Sequence, residues 1–336
     1  MIAMITVVKP GLLSTPQDSG RGGFAHLGIG SAGAFDAPAF RLANALAGNP
    51  RDACALELTL LGPTLRFECD ARIAVTGAPL PLRIDDGEQP MWSPLSVRAG
   101  QTLALGAMRS GCRAYLAVHG GFDFEPVLGS RSLDVNAALG PVGRPLRAGD
   151  KLEMGSGSFF DVGNRAQGNA RKNEPAPVSV NWSIDPRPWV DSGEPLRLLT
   201  GTHTQLLDGE SREALFSRAF EVGNDSNRVG VRLRGPHLRM TESIELVSEA
   251  CIAGTVQLPP SGDPIALGVE HPVSGGYPRI GQIVAVDLPR LAQRRPGDAL
   301  RFTPCTHEEA QQALRKRERQ LLKMEKAIAT RLQQDA

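Results

Sequence analysis

The chain has no apolar run approaching the roughly 18 residues that a membrane-spanning helix needs. Its opening residues, MIAMITVVKPGLLSTPQDSGR, hold neither the basic start nor the long apolar stretch of a secretory leader. Membrane spanning and secretion are therefore disfavoured, and a cytoplasmic protein is expected. Cysteine is scarce: Cys54, Cys69, Cys112, Cys251 and Cys305 stand singly, without the paired spacing of a zinc site or a disulfide framework, and read as reduced thiols. An excess of charge is also missing. A formal net charge of +1 creates no long-range field to gather nucleic acid or anionic membrane, so a small molecule or a protein is the expected partner. No GxxxxGK[ST] phosphate loop occurs, so any ATP must sit in another cradle or on a partner. The six histidines, His26, His119, His203, His237, His271 and His307, lack metal-ligand spacing, and no metal site is expected.

Glycine and proline, by contrast, are plentiful. The 37 Gly and 26 Pro make up roughly a fifth of the chain, against about 12% on average, which favours short strands joined by turns. Hydrophobic residues at 41% and charged residues at 22% are ordinary globular usage, and 336 residues point to about two domains. Strand-like runs of about five to eight residues follow one another as TVVKPG, LELTLLGPTLRF, RIAVTGA, LRIDDGEQ, VRAGQTLALG and CRAYLAVHGG, lengths that suit an antiparallel sheet or barrel. One helix stands out among them. Asp36 can cap it, Pro38 suits its first turn, apolar residues recur at Phe40, Leu42, Ala43 and Leu46, and Gly48 can end it. Such a helix is expected to cover one mouth or face of the β unit.

LRAGDKLEMG at 146–155 is echoed by RRPGDALRF at 294–302 and more weakly by VRAGQTLALG from Val97. In each, the Gly reads as a turn feeding a strand. Two similarly built β units are expected, one per half. Between them, 156–194 is rich in Gly, Asn, Pro and Ser and has no sustained period, and the boundary is placed there. The expected organisation is a first unit over 1–155, a linker over 156–194, a second unit over 195–305 and a polar helix over 306–336. Within the second half a helix is expected around 204–220, strand-like text over 229–289, and a short helix near 288–295. The final helix, EEAQQALRKRERQLLKMEKAIATRLQQ, carries few apolar residues and is expected to pack on the surface or meet a partner.

Several motifs have plain readings. Gly28-Ile29-Gly30-Ser31-Ala32-Gly33 fits GxGxxG, but FAHL before it is a poor parallel strand, no βαβ unit follows and no acidic residue closes a second strand, so it reads as a loop. Lys323-Met324 resembles a biotin-acceptor core, yet its flanks are helical and the lysine reads as solvated. Gln17-Asp18-Ser19-Gly20-Arg21-Gly22 and Asn224-Asp225-Ser226-Asn227-Arg228-Val229-Gly230 each set a carboxylate and a guanidinium in a tight loop. Their side chains can simply bond local amides as Asx-turns, or they can form a site.

The segments GLLSTPQDSGRGGFAHLGIGSAGAFDAPAFRLANALAGN, ALELTLLGPTLRF, VTGA, GCRAYLAVHGG, GSRS, NDSNRVGVRLRGP, SEACIAGTVQLPPSGDPIAL and SGGYPRIGQIVAVDLPRLAQRRPGD, in this order, resemble the biotin-dependent carboxyltransferase family. That family includes the larger carboxyltransferase-like component of bacterial 5-oxoprolinase, KipA and allophanate hydrolase subunit 2, and the resemblance runs from Thr6 to about Phe302. It implies a mainly β fold of two cyclophilin-like β-barrel domains, with the C-terminal helix added. It also implies a smaller carboxyltransferase-like, KipI-like partner subunit and a LamB/YcsF-like subunit. ATP-dependent opening of 5-oxoproline is the implied activity, with ATP and Mg shared with the partners. Carboxyl transfer from carboxybiotin to urea, or a KipA-like regulatory role without catalysis, are the alternatives.

The residues carried over by the resemblance are Asp18, Arg21, His26, Ser31, Asp36, Asn44, Arg113, Tyr115 and Arg131 from the first half, with Ser226, Asn227, Arg228, Glu249, Gln257 and Tyr277 from the second. Arg21, Arg131 and Arg228 are candidates to stabilise a transferring phosphoryl group or clasp a carboxylate. Asp18, or else Glu249, is the candidate base that orients water. His26, Ser31, Asp36, Arg113, Tyr115, Ser226, Asn227, Gln257 and Tyr277 are candidate substrate contacts. Glu270-His271-Pro272-Val273-Ser274 departs from the DRQTT that many relatives carry before GGYP, which bears on the substrate.

Overall fold

Alternating buried and exposed residues, punctuated by glycine, build the first half of the chain into two antiparallel sheets. Residues 4–155, 181–190, 193–242 and 246–335 are described in this computed structural model. One sheet orders its six strands as Lys151–Glu153, Met4–Lys9, Thr64–Phe67, Thr102–Leu105, Leu82–Ile84 and Gly87–Glu88. The other orders five as Leu13–Gln17, Ala55–Thr59, Arg113–Val118, Ala71–Gly77 and Pro94–Val97. Ile5, Val7, Leu65 and Phe67 from the first sheet share a core with Leu56, Leu58, Ile73, Val75 and Leu116 from the second. Ala71–Gly77 and Arg113–Val118 are buried at every position, so their second face must also be covered. The cover is helix α1, Ala37–Ala47, whose Phe40, Leu42 and Leu46 pack with Ala74, Tyr115 and Ala117.

Helix α1 forms as its local signals dictate. Asp36 accepts from the Ala39 amide at 3.1 Å, Pro38 lies in the first turn, and Gly48 at φ 78° ends the helix. The glycine echo also has a physical basis. Gly149 and Gly297 adopt φ 89° and 86°, a region closed to most side chains, and each turn feeds a strand, Lys151–Glu153 and Ala299–Leu300. Leu13–Gln17 is a strand that periodicity misses, because Pro16 cannot donate to a ladder. It is tolerated here on the sheet edge, where Pro16 registers with Leu56 of its one neighbour.

The second half forms one eight-stranded sheet in the order Ala299–Leu300, Phe220–Val222, Gly230–Arg234, Ile265–Leu267, Thr255–Gln257, Arg279–Ile283, Leu196–Thr200 and Phe302–Pro304. Its two ends are consecutive in the chain but for Arg301, so the sheet curls into a nearly closed barrel. Leu196, Leu198, Phe220, Val256, Ile280 and Phe302 fill it, and Phe35 from the first half joins that core. The expected helices here are shorter than the text implied: α2 is Gly209–Ser217 and α3 is Leu288–Ala292. The fold is thus mainly β with four helices among the described residues, as expected. The chain segment 156–180, where the boundary was expected, lies outside the described residues, as do 191 and 192.

Helix α4, His307–Gln334, starts on a capping box between Thr306 and Glu309. Leu321, Ile328 and Leu332 are its buried residues and join the core beneath α1. Arg41 of α1 forks onto Glu318 at 2.7 Å and reaches Glu325 at 2.9 Å. This helix therefore docks on the chain itself. No described helix is long and apolar enough to cross a membrane.

Candidate functional site

A buried polar cluster joins the two halves. Glu57 sits in the apolar strand Ala55–Thr59, 1% exposed. Its Oε2 accepts from the Phe35 amide at 2.9 Å and from the Tyr115 hydroxyl at 2.7 Å, while its Oε1 accepts from Arg228 and lies 3.3 Å from the Arg113 Nε. Arg228 also donates to Glu270 at 2.5 Å and to the Gly33 carbonyl at 2.7 Å. Burial alone would raise the Glu57 carboxyl, but Arg228, Arg113 and its two donors outweigh burial and hold it below the usual range. Glu270 goes the other way, because burial and nearby Asp134 outweigh its single guanidinium. Burial raises Tyr115 well above the ordinary phenol range, with the charges of Glu57 and Asp36 adding to it, so it stays a donor.

Asp36 continues the cluster. Its amide donates to the Tyr115 hydroxyl at 2.7 Å, and its carboxylate accepts from Gln293 at 2.7 Å. Gln293 is locked in orientation, since its oxygen accepts from the Cys112 and Arg113 amides and its nitrogen also donates to the Arg113 carbonyl. Burial pushes the Asp36 carboxyl up to about 6. Arg113 donates to the Ala292 carbonyl and lies 4.7 Å from the Phe35 ring centroid. The cluster aligns the halves. Its side chains are buried and most are engaged with one another, so its task is positioning.

A second group lies beside it. The Asp18 carboxylate accepts from the Gly20 amide at 2.8 Å, the Ser130 and Ser132 hydroxyls at 2.6 Å each, and the Arg131 amide at 2.5 Å. Sequence reasoning offers Asp18 as a water-orienting base; in the structure it is occupied by four donors and orders two loops. Arg21, 2% exposed, donates to the Ser132 carbonyl, and its Nε and Nη1 have no hydrogen-bond partner among the described residues. Burial lowers its pKa, against the pull of Asp134, Asp18 and Glu270. Arg131 keeps 39% of its side chain exposed, held by its Nε to the Phe124 carbonyl at 2.7 Å.

The remaining expected residues fall in two places. Asn227 caps its own turn, accepting from the Val229 amide at 2.8 Å, and Ser226 accepts from the Arg232 amide at 3.1 Å. The turn reading holds for these two, whereas Arg228 points inward and is no surface residue. Glu249, in the two-stranded antiparallel ladder of Glu249–Ala250 and Ser274–Gly275, pairs with Arg279 at the start of the strand Arg279–Ile283. Gln257 donates to the Cys251 sulfur at 3.4 Å, and Tyr277 is 46% exposed. His26 and Ser31 are exposed on the glycine loop, and the Ser31 carbonyl accepts from the Arg21 amide at 2.8 Å. That loop touches the segment that departs from the family pattern: a Cβ on Gly30 would stand 3.2 Å from the His271 carbonyl. Within the departing segment, the acid at Glu270 is the feature shared with DRQTT, and its bond to Arg228 supplies a reason. Asn44 bonds the Ala53 carbonyl at 2.8 Å and is structural.

Glu57, Gln293, Ser130 and Ser132 were missed, and Glu270 stood out only as the first residue of the departing segment. Glu57 left a signal, a carboxylate amid the leucines of LELTLLG; the others lie in loops and helix ends where polar residues are commonplace. Among the described residues no group of three or more His, Cys, Asp or Glu could hold a metal.

The stretch 27–304 matches the family described as carboxyltransferase domain, subdomain A and B. The chain belongs to that family. This carboxyltransferase-domain protein is 37% identical to the C component of 5-oxoprolinase from Escherichia coli K12 over 317 residues, 94% of this chain and 96% of the relative. It is 31% identical to urea amidolyase of Saccharomyces cerevisiae, over 90% of this chain but 17% of that one. The crystal structure of Kluyveromyces lactis urea carboxylase superposes with a TM-score of 0.82 at 28% identity, over 95% of this chain and 29% of that one. A carboxyltransferase-domain chain can therefore stand as a separate component or as a fraction of a longer polypeptide.

Proposed function

We propose that this chain is the C component of an ATP-dependent 5-oxoprolinase, which opens 5-oxo-L-proline to L-glutamate as ATP is hydrolysed. The observation that carries the reading is the nearly end-to-end correspondence with the C component of 5-oxoprolinase, set against the small fraction that the same fold occupies in urea amidolyase. The geometry supports a composite site. The buried cluster holds the loops around Asp18, Glu270 and Arg131 in one place, while most of the charged groups in it are already engaged with one another. A smaller carboxyltransferase-like subunit and a LamB/YcsF-like subunit would complete it.

Opening a lactam needs activation of a poor electrophile. The carbonyl oxygen takes the γ-phosphoryl group and ADP leaves. One water adds to the carbon, the ring nitrogen departs as the amine, and a second water releases phosphate from the acyl phosphate. Of the three candidate arginines, Arg131 alone combines a guanidinium with substantial exposure and can meet an anion at this surface. Arg228 and Arg21 hold the loops. Mg would enter with the nucleotide phosphates. The second reading, carboxyl transfer from carboxybiotin, rests on the superposition with urea carboxylase.

The experiment is reconstitution of the three subunits with Mg-ATP and 5-oxoproline. Glutamate and ADP are expected from the assembly and from no single component. A stable assembly that forms no glutamate sinks the reading, and carboxylation by a carboxylated biotin carrier would establish the second.

A further inference from the structure

Helix α4 sorts its charges between two faces. Arg315, Lys316, Arg319, Lys323 and Lys326 are all exposed, and their helical spacing keeps them on one side. At about 1.5 Å of rise per residue the row runs roughly 16 Å along the axis. Glu318 and Glu325, the carboxylates of the same stretch, turn the other way and meet Arg41 of α1. Arg317 also lies on the inner flank, where it donates to the Pro188 carbonyl at 2.6 Å and stands over the Trp189 ring. None of the five outward side chains has a hydrogen bond or an ion pair among the described residues.

Like charges three and four residues apart destabilise a helix, and a solvated face normally interleaves both signs. This face carries one sign over three turns, so an anionic surface laid against it relieves the repulsion. The row also stands outside the shared domain, since α4 starts at His307, past the stretch 27–304 of the family match. Of the surfaces with such charge, a bilayer needs an apolar anchor beside it, but Leu321, Ile328 and Leu332 are occupied in the core beneath α1. Nucleic acid calls for a wide basic field or aromatic platforms. The whole chain carries only +1, and 306–336 contains no Phe, Trp or Tyr. A protein ridge needs neither, because carboxylates at helical spacing stand about 5–6 Å apart, as the cations of the row do.

We propose that the outward face of α4 docks an acidic ridge of a partner protein, a row of Asp or Glu side chains set against Lys316, Arg319 and Lys323, with Arg315 and Lys326 at the ends. Exposed ion pairs add speed and register more than affinity, so the row steers and orients the partner. It uses no residue of the loops around Asp18. This inference rests on the 5-oxoprolinase reading for the choice of the smaller carboxyltransferase-like subunit and the LamB/YcsF-like subunit as probes.

The test measures association and dissociation rates of the full-length chain with each subunit, at about 50 and about 300 mM salt. One subunit is expected to associate with the wild type roughly tenfold faster at the lower salt. The triple variant Lys316→Glu, Arg319→Glu, Lys323→Glu should lose roughly tenfold or more of that rate at low salt and show little salt dependence. The same three positions changed to Gln should fall between. Both variants should melt as the wild type does, because the side chains are exposed; should the Glu variant fail to fold, the Gln variant decides. Rates unchanged by either variant, or no binding of either subunit to the wild type, overturns the proposal. So does tight binding of the wild type to single-stranded DNA, or to vesicles with roughly one-third phosphatidylglycerol, that the variants abolish while subunit binding stays the same. Glutamate formed by an assembly whose rates ignore the substitutions would sink the row and leave the activity standing. Rates that respond as described, in an assembly that forms no glutamate, would do the reverse.

Discussion

Arg228 and Glu57, 171 positions apart in the chain, form an ion pair between the two halves with 4% and 1% of their side chains exposed. A surface arginine can be truncated at a cost of about 0.5 kcal/mol or less, but removing one member of a buried pair leaves the other charge unpaired, typically at about 3–5 kcal/mol. Arg228→Ala is therefore expected to lower stability by several kcal/mol, read by urea or thermal unfolding. A melt within a degree or two of the wild type would show that Glu57 finds other compensation.

Asp36 gives stability a pH dependence of definite sign. Its carboxyl is raised by burial to about 6 in the folded chain, above the ordinary 3.8, so the folded state holds the proton more tightly than the unfolded one. Its ionisation thus costs stability as pH rises from below 4 to above 6, by up to about 3 kcal/mol. Asp36→Asn has no such proton, although its amide would face the Gln293 amide. The stability of wild type minus variant is expected to fall across that window and to be level above it. A flat difference from pH 4 to 8 would rule out Asp36 as the cause.

Asp18→Asn replaces an acceptor of four hydrogen bonds with a group that turns an N–H₂ toward donors. A loss of about 1–3 kcal/mol is expected, with loosening of the loops that carry Arg21 and Arg131. Differential scanning calorimetry and hydrogen exchange over residues 18–33 and 124–135 provide the check. Unchanged stability with lost turnover in the assembly would return Asp18 to the role of a base.

Limited proteolysis is expected to cut first within 156–180. That stretch has the composition of a linker, while 181–190 is tied down: the Ile184 amide donates to the Trp92 carbonyl at 2.9 Å, the Ser93 hydroxyl to the Trp182 carbonyl at 2.7 Å, and Trp189 is buried. Early cuts inside 196–302 would count against the boundary.

Local features follow from the amino-acid order alone. Asp36, Pro38 and Gly48 delimit α1 because a cap, a missing N–H and a left-handed turn act within a few residues. Gly149 and Gly297 mark strand entries for the same reason, and the order of motifs carried the family. The roles of the polar residues, in contrast, depend on packing across the molecule. Nothing within reach of Arg228 in the chain reveals that its partners are Glu57 and Glu270, nor that Gln293 would find Asp36 from 257 positions away. The turn around Asn227 is compatible with an arginine facing out or in. It faces in because Glu57 must be neutralised once the Ala55–Thr59 strand is buried, and burial is a property of the packed sheets and α1 together.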